Sequence, residues 1–367
     1  MKIAINATFL NEKPTGAATF TMEIAKVFSR MHKEMVLFSS VVLHDIRSDC
    51  VVKVGGRMKG SRKLSNNFYR FLYLNTMLPL LCRLKRVDVL YCPIMEFPFV
   101  PLVPLVVHIH DLHFIHFPSE FGLAAPRMKF SLQLVSRIAR RVIVPSEFVK
   151  RELLKFTNIR EDIIDVVQLA YDDQVFRPTP IGKKSEFVRK YSLPGSYILF
   201  VGSLFPYKNL KTLVEAFSHI KNQIPHSLVI VGSKEFAAET PATNKRIIYT
   251  DYVPAADLPL FYAYADIFVH PSLREGFGIP PLEAMASGTP VISSNGGSLP
   301  EVVGDAGIFF DPRDCNELSR VILAIINDER LRKELIDKGF AHVKKVSWAR
   351  TAEDIFKSCE RAVHEKG

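Results

Sequence analysis

The 367-residue chain is 48% hydrophobic and 23% charged, with a formal net charge of +10. That balance supports large buried cores and excludes a disordered chain, and the length predicts two domains. Five cysteines (Cys50, Cys82, Cys92, Cys315, Cys359) are odd in number and form no CxxC pair, which favours reduced thiols over a disulfide framework or a zinc site.

From the N-terminus, Lys2–Ala7 reads as a strand, a polar loop carries Thr15-Gly16, and helical periodicity runs from Thr19 to Met31. The opening MKIAINATFLNEK has no apolar stretch of signal-peptide length, and no run of about 18 apolar residues predicts a membrane span. Between Cys50 and Val87 nine basic residues meet no acidic one, and basic and aromatic residues interleave. Residues 1–180 hold 25 Lys and Arg against 16 Asp and Glu, or +9, and residues 181–367 hold 23 against 22, or +1. Such a stretch suits anionic lipid headgroups or an anionic acceptor, with Arg57, Lys59, Arg62, Lys63 and Arg70 as candidates. A solvated basic face is the alternative, and no nucleic-acid module accompanies the charge.

Apolar runs at 35–40, 87–92, 104–110, 141–146 and 162–170 alternate with helical stretches, the pattern of a parallel sheet covered on both faces. A polar, Pro-bearing segment, 171–184, predicts a linker. A second series follows with YILFVGS, SLVIVGS, RIIYTDYV, DIFVHPS, TPVISS and GIFFDP. The predicted fold class is α/β, two doubly wound Rossmann-like domains with a cleft between them. Their limits are 1–172 and 173–345, and a helix in 346–367 has no strand pattern to place it.

In open α/β sheets ligands bind beyond the carboxyl ends of strands, often before a helix N-terminus. The turn HPSLREGFGIPPLEAMASG has that place. Gly276 and Gly278 permit close backbone approach, and the helix entrance near Pro280 presents free N–H groups to an anion. Glu275 sits on the loop and Glu283 in the first helical turn; each carboxylate matches a vicinal diol. A nucleotide sugar has diols at both ends and a diphosphate between. Lys208, in GSLFPYKNLKTL, suits phosphate oxygens. HIHDLHFIHF is dense in histidine, but HExxH, D-x-D and cysteine partners are missing, so metal is not predicted. His110 at a strand end suits a sugar hydroxyl or the reacting centre.

These residues together resemble the retaining GT-B glycosyltransferases of family 4. EGFGIPPLE has that family's pair of glutamates eight apart, inside PSLREGFGIPPLEAMASGTPVISSNGGSLPEVVGDAGIFFDP. TG after the first strand, HIHDL, VPSEFVKREL, VGSLFPYKNLKTLVEAF and SWARTAEDIF extend the likeness along the chain. The resemblance implies that Glu275 binds donor-sugar hydroxyls, Glu283 the ribose and Lys208 the diphosphate. It places His110 at the donor sugar, Gly16 in the N-terminal loop, and the amides of Phe277, Gly278 and Ile279 at sugar and phosphate oxygens. Leu299, Pro300 and Glu301 would shape the same pocket, and the last helix would cross back to the N-terminal domain. One departure stands out: relatives commonly carry an arginine beside the lysine, where this chain has Ser203 and Tyr207.

The resemblance is closest to bacterial enzymes of O-antigen and exopolysaccharide synthesis, many of them mannosyltransferases. It implies a metal-independent hexosyltransferase with no cofactor. The donor is a nucleoside-diphosphate sugar, GDP-sugar favoured over UDP-sugar. The acceptor is a glycan or lipid-linked acceptor, and the setting is cytoplasmic, with contact at the anionic inner face of the membrane. Two alternatives stay open: a sugar-nucleotide epimerase of the same fold, and a non-catalytic donor-binding subunit.

Overall fold

Short apolar runs between helices become strands, most of them buried on both faces, as parallel pairing under flanking helices requires. The computed structural model describes residues 1–11, 16–31, 34–41, 43, 45–55, 64–179, 184–232, 245–251 and 253–365. The chain divides into two compact units, Met1–Leu169 with Trp348–Gly367, and Ala170–Ser347.

The first unit holds β1 (Ile3–Ala7), β2 (Met35–Ser39), β3 (Val51–Lys53), β4 (Val89–Cys92), β5 (Leu105–His108), β6 (Arg141–Val144) and β7 (Ile164–Val166). All pair in parallel, in the order β3-β2-β1-β4-β5-β6-β7. The chain winds outward one way from β1 and the other way from β4, so the order reverses between them. Strand β3 escapes sequence analysis because it is three residues long, lies at the edge and ends on Lys53, a common way to blunt an edge. The helix Gly16–Met31 begins three residues before the predicted Thr19. Ala17 and Ala18 are strong helix formers and carry the helix toward the N-terminus.

Asn6, buried in β1, fixes the loop after β4. Its Nδ2 donates to the Glu96 carbonyl at 2.8 Å, and its Oδ1 accepts from Thr8 Oγ1 at 2.8 Å. The C-terminal helix Trp348–His364 buries Ala352, Ile355, Cys359 and Ala362 and packs against β4, β5, β6 and the helix Gly16–Met31. Polar contacts fix its register: Thr351 Oγ1 donates to the Gln168 carbonyl at 2.8 Å, and Arg361 pairs with buried Asp165 at 2.7 Å. Arg141 spans Asp165 and Glu365, each at 3.0 Å. A buried charge held by several partners in this way avoids an uncompensated desolvation cost.

The second unit holds β8 (Tyr197–Val201), β9 (Ser227–Val231), β10 (Ile247–Asp251), β11 (Ile267–His270), β12 (Val291–Ser294) and β13 (Gly307–Phe310). The order is β10-β9-β8-β11-β12-β13, all parallel, with the reversal between β8 and β11. The helices Leu210–Ile220 and Cys315–Asn327 pack together over one face of this sheet around Leu213, Phe217, Leu318 and Ile322. In both units the reversal point is where an α/β sheet opens a crevice for a ligand.

Candidate active site

In the second unit the predicted motifs meet at the β8–β11 reversal. After β8 the chain makes a single 3-10 turn, Pro206–Lys208, and Asn209 follows at φ 58°, ψ 35°, a left-handed conformation that asparagine tolerates. Asn209 Nδ2 donates to the carbonyls of Pro271 (3.0 Å) and Pro312 (2.7 Å), and Leu273 N donates to the Tyr207 carbonyl at 2.8 Å. These bonds fasten the lysine-bearing turn to the glutamate-bearing one.

Lys208 and Glu275, singled out separately in the sequence, form an ion pair of 2.6 Å. The same carboxylate oxygen, Oε1, accepts from Ser272 Oγ at 2.6 Å and lies 3.0 Å from His270 Nε2. A carboxylate only accepts, so His270 carries its proton on Nε2. Burial holds the His270 ring below its ordinary pKa, against the pull of Glu275, and its Nδ1 is left without a partner. Of the two positions at one of which the resemblance implies an arginine, Ser203 sits partly buried just past β8 and Tyr207 is buried. Tyr207 stacks on Phe205, ring centroids 5.4 Å apart, and the Lys208 ammonium lies 5.4 Å from the Tyr207 ring.

The loop from β12 forms a close-fitting support that sequence analysis missed. A Cβ on Gly297, whose φ is +70°, would lie 2.4 Å from the Glu275 carbonyl oxygen. Ser298 N donates to that oxygen at 3.1 Å, and Ser298 Oγ donates to the Phe277 carbonyl at 2.9 Å. The Gly-Gly pair in SSNGGSLP was the available signal. Leu299, one of the three residues expected to shape the pocket, packs under Gly278, where a Cβ would meet Leu299 Cδ2 at 2.8 Å. Gly278 has φ +105°, a second reason for glycine there.

The helix following this loop is Ile279–Ala286. Of the four amides a helix start leaves unpaired, Pro280 and Pro281 have none to offer. Among the described residues the N–H groups of Phe277, Gly278 and Ile279 donate to no acceptor within the chain. Glu283 is the fifth helical residue, not part of the first turn as the sequence predicts. The positive-φ Gly278 lets the helix begin one residue before Pro280. Tyr262 Oη donates to Glu283 Oε2 at 2.7 Å. Burial, reinforced by Asp172 and opposed by that hydrogen bond, pushes the carboxyl up to about 7. Glu275 and Glu283 therefore differ in kind: one is an ion-paired carboxylate, the other a group on the edge of protonation at neutral pH.

In the first unit the residues beyond β5 gather near that sheet's reversal. His108 and His110 stack with centroids 4.2 Å apart, and Phe20 sets its edge against both rings. Burial lowers the pKa of each. His110 Nε2 lies 2.9 Å from the Pro93 carbonyl, so it is the protonated nitrogen and Nδ1 is left as an acceptor for a hydroxyl. Gly16 is the exposed first residue of its helix, and the space a Cβ would occupy is open. Arg70 turns inward and pairs with Glu96 at 2.9 Å. Arg57, Lys59, Arg62 and Lys63 lie outside the described residues. Among the described residues no group of three or more His, Cys, Asp or Glu could hold a metal ion, and no helix is long and apolar enough to cross a membrane.

Two doubly wound parallel α/β units in one chain define the GT-B class of fold. Alr3699/HepE of Anabaena, solved in complex with UDP, shares it with a TM-score of 0.76 at 19% identity, covering 98% of this chain and all of that one (100%). WaaG, a glycosyltransferase involved in lipopolysaccharide biosynthesis, shares it with a TM-score of 0.75 at 13% identity, covering 97% and 99%. The family model described as Glycosyltransferase Family 4 matches residues 14–175, and that described as Glycosyl transferases group 1 matches residues 184–342. The chain belongs to the family 4 glycosyltransferases. O-antigen chain mannosyltransferase B of Escherichia coli is 34% identical over 220 residues, 57% of this chain and 58% of that protein. Serotype-specific mannosyltransferase WbdA of Escherichia coli is 30% identical over 226 residues, 58% of this chain and 28% of that protein. The match thus spans under two thirds of these relatives' length.

Proposed function

We propose that the protein is a retaining, metal-independent glycosyltransferase that moves a hexose, mannose favoured, from a nucleoside-diphosphate sugar to a glycan or lipid-linked acceptor in cell-surface polysaccharide synthesis. The observation that carries this reading is the cluster at the β8–β11 reversal. There the Lys208 ammonium, 2.6 Å from Glu275, stands in the same site as the unpaired amides of Phe277, Gly278 and Ile279. Amides and an ammonium held in place stabilise charge as it develops on a leaving diphosphate, without reorganising at the moment of reaction. Glu275 has its orientation set by three donors before any donor sugar arrives, and Glu283 offers a second carboxyl for the ribose. Ser272, His270 and Ser298 act as positioning residues. Support for mannose comes from the O-antigen and serotype-specific mannosyltransferases among the relatives; support for UDP comes from the neighbour solved with it.

The acceptor belongs, in this reading, to the first unit, whose basic and aromatic sequence between Cys50 and Val87 suits an anionic lipid surface on the cytoplasmic side. A thermal-shift panel of GDP-, UDP-, ADP- and dTDP-sugars tests donor choice, since a ligand at 100 times its Kd stabilises by about 2.7 kcal/mol. One nucleotide sugar is expected to raise Tm well above the others. Its transfer or hydrolysis is expected to persist in EDTA and to vanish in Glu275→Ala. A flat panel, or turnover undiminished in Glu275→Ala, refutes the reading.

The Glu283 carboxyl gives a pH signature. A carboxylate accepts both hydrogens of a diol, whereas the protonated acid accepts fewer. With the free protein's group near 7, donor binding strengthens as pH rises through 7 and levels off above it. Between pH 6 and 8 the affinity for a nucleotide sugar, whose phosphates do not titrate there, is expected to rise about 10-fold. Glu283→Gln is expected to bind weakly and without this dependence; calorimetric titration at several pH values decides it.

A further inference from the structure

His108 is an imidazole where strand packing would ordinarily set an apolar side chain. It ends β5 fully buried. The sheet register pairs Tyr91 of β4 with Val106, and period-two alternation puts His108 on the same face as Val106. There Tyr91 Oη lies 3.0 Å from His108 Nδ1.

Tyr91 is itself fully buried, and among the described residues its hydroxyl has no other partner. The hydroxyl therefore donates, because as an acceptor it would strand its own hydrogen away from water. His108 then carries its proton on Nε2, and that nitrogen is buried without a partner. A phenylalanine would fill similar space with no unpaired donor, so the imidazole at this position calls for an explanation.

The explanation lies in the neighbouring ring. The Tyr91 bond fixes the plane of His108, and His110 lies nearly flat upon it, with centroids 4.2 Å apart and planes 18° apart. Phe20 sets its edge against both rings, 4.8 Å from each, and Trp348 stands 5.9 Å behind Phe20. Confined in this way, His110 keeps Nε2 at 2.9 Å from the Pro93 carbonyl and leaves Nδ1 as an acceptor.

Both imidazoles line a cavity of about 620 Å³ at the carboxyl ends of β4 and β5, which gives that acceptor room to meet a hydroxyl. Phe97 and Phe99 line it as well, and its charged residues are Asp111, Glu96, Arg70 and Arg127. Glu96 and Arg70 offset each other in their ion pair. Burial outweighs the pull of Asp111 on His110 and holds both rings neutral.

We propose that His108 is a positioning residue for the reaction and that Tyr91 acts through it. The Tyr91 hydroxyl fixes the His108 ring, and His108 in turn holds His110 with Nδ1 open to a sugar hydroxyl. The proposal rests on the glycosyltransferase reading and deepens it by naming what orients His110.

The test is heteronuclear NMR of the full chain, isotope-labelled at the histidine ring nitrogens and free of donor, with a His110→Gln sample to assign that ring. In the wild type His110 is expected to show a protonated Nε2 and an unprotonated Nδ1. In Tyr91→Phe and in His108→Phe its two resonances are expected to move toward each other, as the loosened ring exchanges tautomers. In steady-state kinetics His108→Phe is expected to lower kcat about 10-fold with donor KM nearly unchanged, and Tyr91→Phe about 3-fold, since small misplacements of a reacting group are costly. The double variant is expected to be no slower than His108→Phe, because groups that act in series are not additive. It is also expected to be more stable than His108→Phe in thermal denaturation, since removing both polar partners leaves neither unpaired. His110 resonances unmoved in both single variants, or kcat losses that multiply in the double variant, overturn the proposal. A wild-type chain that turns over no nucleotide sugar fails the glycosyltransferase reading instead, and the NMR spectra still decide whether Tyr91 and His108 set the His110 ring.

Discussion

Lys208→Ala is expected to lower kcat for sugar transfer by roughly 10²–10³-fold, the loss typical when one preorganised group facing a developing anion is removed. The resemblance implies an arginine at one of two neighbouring positions, which here are Ser203 and Tyr207, and Tyr207 is committed to its stack on Phe205. The lysine is also fixed from behind: the 3-10 turn, Asn209 and the Leu273 amide allow its backbone little room. Removing the ammonium leaves the buried Glu275 carboxylate with Ser272 and His270 as hydrogen-bond donors. Stability is therefore expected to fall as well, by less than the roughly 3–5 kcal/mol of a fully orphaned buried charge. Steady-state kinetics with a saturating donor, paired with denaturant unfolding, separates the two effects. A kcat within about 3-fold of wild type refutes the assignment of Lys208 to the leaving group.

Gly297→Ala carries the second large effect. Its added methyl would lie 2.4 Å from the Glu275 carbonyl oxygen and 2.5 Å from the Glu275 nitrogen, both backbone atoms with no rotamer to change. The φ of +70° adds its own penalty for a residue with a Cβ. The loop must shift, and an expected cost of roughly 3 kcal/mol or more follows from strain and overpacking together. For a unit of this size that lowers Tm by roughly 6–12 °C. Because the displaced segment bears Glu275, donor affinity is expected to fall in parallel. A variant with unchanged Tm by calorimetry contradicts the close packing described for this loop.

The family and the fold class were legible because their signals are local. Strand–helix alternation is a periodicity, and EGFGIPPLE sets two glutamates, two glycines and two prolines within one turn and one helix. Other features depended on contacts between distant segments. Nothing in the sequence near Lys208 announces Glu275, 67 residues away, as its partner; Asn209, Pro271 and Pro312 together make that approach. Gly296 and Gly297 look like an ordinary turn until the Ser272 and Leu273 carbonyls are found against the first and the Glu275 backbone against the second. The first turn of the helix before Glu283 was misjudged by one residue, which moved a carboxylate from a helix start to a partly enclosed place beside Tyr262.

By itself, then, the sequence determined the two doubly wound sheets, the location of the lysine and glutamate motifs after β8 and β11, and the identity of the residues presented there. Short-range patterns of apolar period, glycine and proline suffice for that. Only the tertiary structure decided how those residues act on one another: which carboxylate is paired, which is raised toward neutrality, and which phenylalanines line a cavity with Glu96. Burial and hydrogen-bond geometry set those properties, and both are made by segments that the chain brings together only when folded.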